Sequence, residues 1–327
     1  MLSFNVERLS LSNESCLKGL MALFIILSHS AWAQAFKIAG HSLASINFLP
    51  VGVFFFLSGY GLFQQYKAGK KFNFLKKAFV LLLPYWLLCC VWIPIFTDQE
   101  FSFKLIFATF LGDTFLPFAW YVKTQLICYF LWFLAPCLFR EHKKNYILAS
   151  IFIGLMIYAY YRRLDGVTST TYITVFSFLG GLVYSCYLQK VADLLDRFYT
   201  PIQIGLAVLC GGLLLFGRSN SMLSIIRLNV LSVLFAVWVV QLLMLKDHWE
   251  GTPHFIGKIS YELYLVQGLP LCFFSKQAYA ARTFVPIDSP VYVLFLTFFF
   301  SIILSCILHG VNKKIQGRIV PILDHIL

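Results

Sequence analysis

The sequence predicts an all-α polytopic membrane protein with about ten transmembrane helices in a single bundle. Hydrophobic residues make up 60% of the 327-residue chain and charged residues only 12%, whereas a soluble domain contains about 25% charged residues. The apolar residues also recur in runs close to the roughly 20 residues that a helix needs to cross a bilayer. We therefore expect one integral-membrane domain over residues 1–327.

Each apolar run is expected to be a helix, because a segment surrounded by lipid must satisfy its own backbone hydrogen bonds. The predicted spans cover residues 17–35, 48–66, 78–96, 119–139, 146–161, 172–188, 202–217, 225–245, 255–274 and 290–310. The apolar stretch 103–116 is short and is interrupted by Gly112 and Asp113. It is expected to be an interfacial or re-entrant segment.

The basic residues predict an orientation. Lys and Arg concentrate in loops that share one side of the membrane if the N-terminus is cytoplasmic, and the densest cluster is 67–77, after the second span. The positive-inside rule therefore favours both termini inside, with short cytoplasmic tails at 1–16 and 311–327. Because the net charge of +12 is spread over these loops, it predicts a bilayer partner and no nucleic-acid partner.

The first span contains an ionisable pair, Lys18 at its start and His29 inside it. The two residues are eleven positions apart, so on a helix they share one face and are separated by about 16 Å of rise. An ionisable residue at membrane depth is a candidate functional residue, and a neutral imidazole can accept a proton from a hydroxyl at physiological pH. The alternatives are that His29 serves helix packing alone and that Lys18 only extends toward the headgroups.

Two other spans contain candidate residues. Ser58, Gly59 and Gly61 in the second span are small residues of the kind that allow helices to approach closely in membranes. Glu262 is the carboxylate that the predicted boundaries place inside a span, where it requires a partner. The alternative places Glu262 at the interface, one turn after Lys258.

Several short patterns follow one another along the chain in a consistent order. They are Lys18 with His29 after ten intervening residues, Phe54-Phe55-Phe56-Leu57-Ser58-Gly59-Tyr60, Lys76-Lys77 followed by Pro84-Tyr85-Trp86, Trp120-Tyr121, and Gly257 with Ser260, Tyr261, Tyr264 and Leu265. In this ordered set the chain resembles the membrane-bound acyltransferase family 3, a family of bacterial O-acyltransferases with ten spans. The chain departs from the family pattern at Lys18, Ala78 and Leu81, where arginine is usual, and at Gln267, where histidine is usual.

The resemblance implies a transferase of the bacterial inner (cytoplasmic) membrane. It implies transfer of an acyl group, usually acetyl in this family, from cytoplasmic acyl-CoA to a hydroxyl of a cell-envelope or exported carbohydrate or a lipid-linked glycan. His29 is then expected to be the general base or a transient acyl carrier, and Lys18, Lys76 and Lys77 to attract acyl-CoA. The residues expected to line the substrate passage are Ser58, Trp120, Tyr121, Tyr261 and Glu262.

Acyl-CoA is expected as a co-substrate, with no bound cofactor, and the histidine spacings predict no metal site. Two other function classes stay open at this point. A glycan or lipid transporter or flippase would need no covalent chemistry, although no repeated halves are visible in the sequence. A membrane glycosyltransferase or polymerase would need acidic residues in an outer loop, where only Asp98, Glu100 and Asp113 are available.

Overall fold

The computed structural model describes residues 11–33, 37–38, 41–96, 102–112, 116–138, 144–164, 170–216, 221–243, 252–275 and 284–325. Within these ranges the chain is helical, apart from a two-residue antiparallel pairing of β1, Lys37–Ile38, with β2, His41–Ser42. The all-helical prediction is therefore confirmed for the described residues. The acidic loop residues Asp98, Glu100 and Asp113 and most of the N-terminal tail, 1–10, lie outside them.

The α-helices, in chain order, are α1 Leu11–Ala33, α2 Phe48–Lys67, α3 Phe74–Phe96, α4 Phe103–Phe110, α5 Trp120–Leu138, α6 Lys144–Leu164, α7 Thr170–Thr174, α8 Phe176–Cys186, α9 Leu188–Leu215, α10 Met222–Leu243, α11 Thr252–Lys258, α12 Ser260–Val266, α13 Gly268–Phe274 and α14 Pro290–His325. A short 3-10 turn, Leu43–Ile46, precedes α2.

Seven of the described helices are long and apolar enough to cross a membrane, namely α2, α3, α5, α6, α9, α10 and α14. The protein therefore has the helices of a multi-pass membrane protein, but the predicted count of ten is not confirmed. Two of the predicted spans consist of short helices in series, α7 with α8 and α11 with α12 and α13. The orientation with both termini inside stays a prediction.

The α4 helix has only eight residues and cannot cross a bilayer, which agrees with the prediction that the stretch 103–116 is too short for a span. Two other helices differ from the predicted boundaries. The α9 helix begins well before the predicted span and has a kink at Phe198, three residues before Pro201. The α14 helix continues through the residues predicted to form a C-terminal tail and ends at His325.

The chain divides into two compact units. The first unit comprises Met1–Met21, Phe48–Phe72 and Leu131–Gly257, and the second comprises Ala22–Asn47, Asn73–Phe130 and Lys258–Leu327. Each unit is assembled from several stretches that are distant in the sequence. The prediction of a single integral-membrane domain stays a prediction.

In the first unit, α2 packs closely against α8 because glycines lie at their contact. A Cβ atom at Gly59 would collide with the backbone carbonyl oxygen of Phe178, and one at Gly181 with that of Phe56. Around this contact, apolar residues of α1, α2, α8, α9 and α10 form a buried core of Leu17, Val53, Phe56, Leu57, Tyr60, Tyr184, Leu188, Ala236 and Val240. The packing interpretation of the Ser-Gly-x-Gly pattern is confirmed at Gly59, whereas a Cβ atom at Gly61 would meet nothing.

In the second unit, the long α14 packs against α3, α12 and α13. Its C-terminal part is held near the start of α3, where the Asn73 amide donates to the Leu323 carbonyl oxygen at 3.1 Å. On α3, the Trp86 ring stacks on Phe110 of α4 with centroids 5.1 Å apart. These contacts join α14 to α3 and α3 to α4 within the second unit.

Candidate active site

His29 lies on α1, four residues before the helix ends at Ala33. Only 4% of its surface is exposed, and Ala22, Ile25 and Ile26 on the same helix are fully buried. The C-terminal part of α1 is therefore buried, and bulk water is kept away from the imidazole.

The ring of Phe118 stacks on the His29 imidazole, with centroids 4.0 Å apart and planes inclined by 17°. Phe118 has φ = 66° and is the one non-glycine residue with positive φ among the described residues. A bulky residue in this conformation costs about 1–3 kcal/mol, and such strain is concentrated at functional sites. Phe118 was not predicted to belong to the site, because no local sequence pattern indicates a strained backbone.

The strained turn is fixed by α12 and α13. The Tyr264 hydroxyl donates to the carbonyl oxygen of Phe118, and the Phe118 side chain packs beside Leu271 and Val293. Gly268 lies so close to Pro117 that a Cβ atom there would be 3.1 Å from the proline Cβ. The surrounding helices thus offset the strain and hold the ring in place over His29.

Gln267 forms the other polar element beside His29. It lies between α12 and α13, is 1% exposed, and its Nε2 donates to the Tyr264 carbonyl oxygen at 3.0 Å. The amide side chain also faces the imidazole, but neither His29 Nδ1 nor Gln267 Oε1 completes a hydrogen bond with another described residue. Both atoms are fully buried, and because a buried polar atom without a partner is costly, a ligand group that reached them would gain a hydrogen bond.

Tyrosines that were predicted to line the passage lie in the same unit. The Tyr121 ring meets Tyr264 edge-on at 5.6 Å, and the Tyr261 hydroxyl donates to the Leu81 carbonyl oxygen at 2.6 Å. Tyr121 and Trp120, at the start of α5, are both 8% exposed. The structure therefore links Tyr121, through Tyr264, to the turn that carries Phe118.

Glu262 is buried, with 4% of its surface exposed, and its partners lie on α14. Its Oε1 accepts from Asn312 Nδ2 at 2.9 Å and lies 3.1 Å from His309 Nδ1, and Gln316 Nε2 donates to Asn312 Oδ1 at 2.8 Å. His309 lies one residue before the end of the predicted span 290–310, and neither His309 nor Asn312 was predicted to belong to a site. The signal was present, because residues 309, 312 and 316 share one helical face within α14.

The lysines predicted to attract acyl-CoA are near carboxylates or partly covered. Lys18 Nζ lies 2.5 Å from Glu14 Oε1, one turn earlier on α1 in the first unit. Lys76 Nζ contacts both carboxylate oxygens of Asp324, at 2.9 and 2.8 Å, in the second unit. Lys77 is half-buried. An anionic ligand at Lys18 or Lys76 would compete with the neighbouring carboxylate.

The remaining predicted residue, Ser58, is half-buried on α2 in the first unit. Its neighbour Gly59 serves the close approach of α2 to α8. Among the described residues, no three His, Cys, Asp or Glu side chains converge in a geometry that could hold a metal ion.

Comparison with known proteins gives one match. A family model described as an acyltransferase domain matches residues 15–310, a range that includes His29, Phe118, Glu262, Gln267 and His309. Neither the curated proteins nor the solved structures contain a match.

Proposed function

Because the chain belongs to the acyltransferase 3 family, we propose that this membrane acyltransferase moves an acetyl group from cytoplasmic acetyl-CoA to a carbohydrate hydroxyl. The acceptor is a glycan of the cell envelope or one that is exported through the inner membrane. The single observation that supports this proposal best is the buried imidazole of His29, whose Nδ1 has no partner among the described residues.

The proposed reaction begins when His29 accepts the proton of the acceptor hydroxyl. The hydroxyl oxygen attacks the thioester carbonyl carbon, the new ester C–O bond forms, and the C–S bond breaks. The departing thiolate takes the proton from the imidazolium and leaves as coenzyme A. An acyl group carried transiently by His29 is the covalent variant of the same scheme.

Neighbouring residues have supporting roles in this proposal. The stacked ring of Phe118 fixes the plane of the imidazole, and Gln267 Oε1 offers an acceptor to a substrate hydroxyl. Within the second unit, Trp120, Tyr121, Tyr261 and Glu262 line the substrate passage, and Lys76 and Lys77 attract the phosphates of acyl-CoA. Ser58 and Lys18, in the first unit, keep the same two roles as predictions from the sequence. Aromatic faces suit sugar rings, because the C–H groups on one face of a sugar form an apolar surface that can pack on an aromatic ring.

The test uses the full-length protein in lipid nanodiscs with acetyl-CoA and, as acceptor, the membrane glycolipid fraction of cells that lack the protein. Release of coenzyme A is followed with a thiol reagent, and the acyl mass on the glycan by mass spectrometry. In His29→Ala we expect at least a 100-fold loss of rate, within the range of about 10²–10⁴ for a general base.

Ser28→Ala is the matched control, because Ser28 is equally buried on α1 and its hydroxyl donates to the helix carbonyl oxygen of Phe24 at 2.9 Å. Melting temperatures show whether both variants are folded. Full activity in a folded His29→Ala variant would remove His29 from the mechanism. Glycan translocation by the wild-type protein without acetyl-CoA consumption would support a transporter instead.

A further inference from the structure

The first unit contains an elongated cavity that the proposed reaction does not use. It has a volume of about 540 Å³ and is lined by α6, α7, α8 and α10. At one end, Arg163 Nη1 lies 3.1 Å from Met222 Sδ, so the end of α6 meets the start of α10. At the other end, the rings of Phe152 and Phe176 are in contact, with centroids 5.8 Å apart. We call this cavity the α6–α10 slot.

The length of the α6–α10 slot matches one leaflet of a bilayer. Its lining runs along α6 from Phe152 to Arg163 and along α10 from Met222 to Leu234. At 1.5 Å per residue these stretches are about 16 and 18 Å long. Half of the hydrocarbon core of a bilayer is about 15 Å thick. The slot can therefore hold one acyl chain along its whole length in one leaflet.

The walls of the slot are apolar and are fixed by hydrogen bonds. Met156, Tyr160 and Ile226 line it and are 47%, 60% and 56% exposed, which in a membrane helix means exposure to lipid. Asn229 is 8% exposed, and its Nδ2 donates to the Tyr172 carbonyl oxygen at 2.9 Å, which joins α10 to α7. Asn229 Oδ1 has no partner among the described residues, so the wall also offers an acceptor to a ligand hydroxyl.

A hydrocarbon chain is narrow and flexible, and it can follow an apolar groove as long as one leaflet. The lining is apolar apart from Asn229 and Arg163. The occupant that fits this combination is a lipid, with its chain along the apolar wall and its headgroup at the basic end.

A basic residue lines one end of the slot. Arg163 lines it, Arg162 precedes Arg163 in the last turn of α6, and none of the residues that line the slot is acidic. Basic groups beside transmembrane helices select anionic headgroups, and a guanidinium binds phosphate in a bidentate geometry. The geometry points to a binding site for an anionic lipid, with its phosphate at Arg163 and one acyl chain in the α6–α10 slot.

The test compares two single-chain lipids, lysophosphatidylglycerol and lysophosphatidylcholine, that carry the same acyl chain and the same free glycerol hydroxyl. They differ in headgroup charge. Each is titrated against the detergent-purified, full-length protein, and native mass spectrometry reports the bound fraction. We expect about fivefold tighter binding of the anionic lipid, the contribution of one basic group near a headgroup.

Two variants and two matched controls decide the outcome. In Arg163→Ala the two lipids should bind with about equal affinity. Arg197→Ala removes an exposed arginine of α9 in the same unit and should keep the fivefold preference for the anionic lipid. Ala159→Trp fills the slot and should weaken the binding of both lipids equally. Ile153→Trp changes an exposed α6 position outside the slot and should leave the binding of both lipids unchanged. A full preference in Arg163→Ala, or unchanged binding in a folded Ala159→Trp variant, would overturn the proposal.

Discussion

The two units bury their polar side chains differently. In the first unit, neutral groups join neighbouring helices in pairs: Ser177 and Ser232 share a hydrogen bond of 2.8 Å, and Gln203 donates to Gln241 at 2.7 Å. In the second unit the buried polar groups include His29 and Glu262. The first unit also buries Arg162 of α6, which is 7% exposed, so the contrast lies in the imidazole and the carboxyl group of the second unit.

This difference indicates a division of roles. Neutral pairs between helices stabilise packing in a membrane, where no hydrophobic effect drives one helix onto another. Buried ionisable groups are costly there and are associated with chemistry. We therefore expect changes in the first unit to alter stability and changes in the second unit to alter catalysis as well. Substitutions at Gly59, Glu262, Phe118 and Lys76 test that expectation, and their expected effects decrease in that order.

Gly59→Ala should destabilise the protein most, by about 3 kcal/mol, because its Cβ atom would overlap the Phe178 carbonyl oxygen and separate α2 from α8. Gly61→Ala, two residues further along the same helix, meets nothing and should be neutral or stabilising by about 0.5–1 kcal/mol. Thermal unfolding in detergent measures both effects. The rate per folded molecule should stay unchanged in Gly59→Ala, and a lowered rate would contradict a purely structural role for Gly59.

Glu262→Ala should destabilise the second unit by about 1–3 kcal/mol, because it leaves the buried Asn312 amide without its acceptor. Glu262→Gln retains an oxygen that can accept from that amide and should lower the free energy of unfolding by less. Thermal unfolding ranks the two variants, and the KM for the acceptor glycan tests the predicted lining role. An unchanged KM in both variants would restrict Glu262 to packing against α14.

Two substitutions of Phe118 distinguish the effect of its strained backbone from the effect of its stacked ring. Phe118→Gly and Phe118→Ala both remove the ring beside His29, and each should lower kcat about tenfold if that ring orients the imidazole. The glycine variant should be about 1 kcal/mol more stable than the alanine variant, because glycine adopts positive φ without strain. Steady-state kinetics and thermal unfolding report the two effects independently. Equal stability of the two variants would contradict the strained conformation.

Lys76→Ala should have the smallest effect on stability, about 0–1 kcal/mol, because its ion pair with Asp324 is half-exposed. If Lys76 attracts acyl-CoA, the variant raises the KM for acetyl-CoA, and more so at low salt. Asp324→Ala breaks the same ion pair but keeps the lysine, so its KM should be unchanged or lower. A similar increase of KM in both variants would assign the effect to the lost ion pair.

The fold was predictable where the signal is local. Apolar runs and charged boundaries identified the long helices, and the interruption at Gly112 indicated the short α4. The breaks at Ile259 and Gln267, which divide one predicted span into α11, α12 and α13, were not predictable. In that span the hydrophobicity is continuous, and a run of apolar residues does not show where contacts with other helices interrupt it.

The site was predictable only in part. His29 was identified because an imidazole in an apolar run is unusual in itself, and Glu262 for the same reason. Phe118, His309 and Asn312 were missed, although each contacts one of those two residues. An aromatic or amide residue acquires its role from its neighbour, and that neighbour is distant in the sequence.

Local features of the sequence are enough to predict a helical, membrane-embedded protein of an acyltransferase family. They also identify His29 as the leading candidate for catalysis. These properties depend on composition, on the order of short patterns and on the cost of an ionisable group in lipid. Only the tertiary structure decided which side chains surround His29, which helix pairs with Glu262, and where a lipid-sized slot lies. Those properties arise from contacts between residues far apart in the chain, whose distances no local pattern specifies.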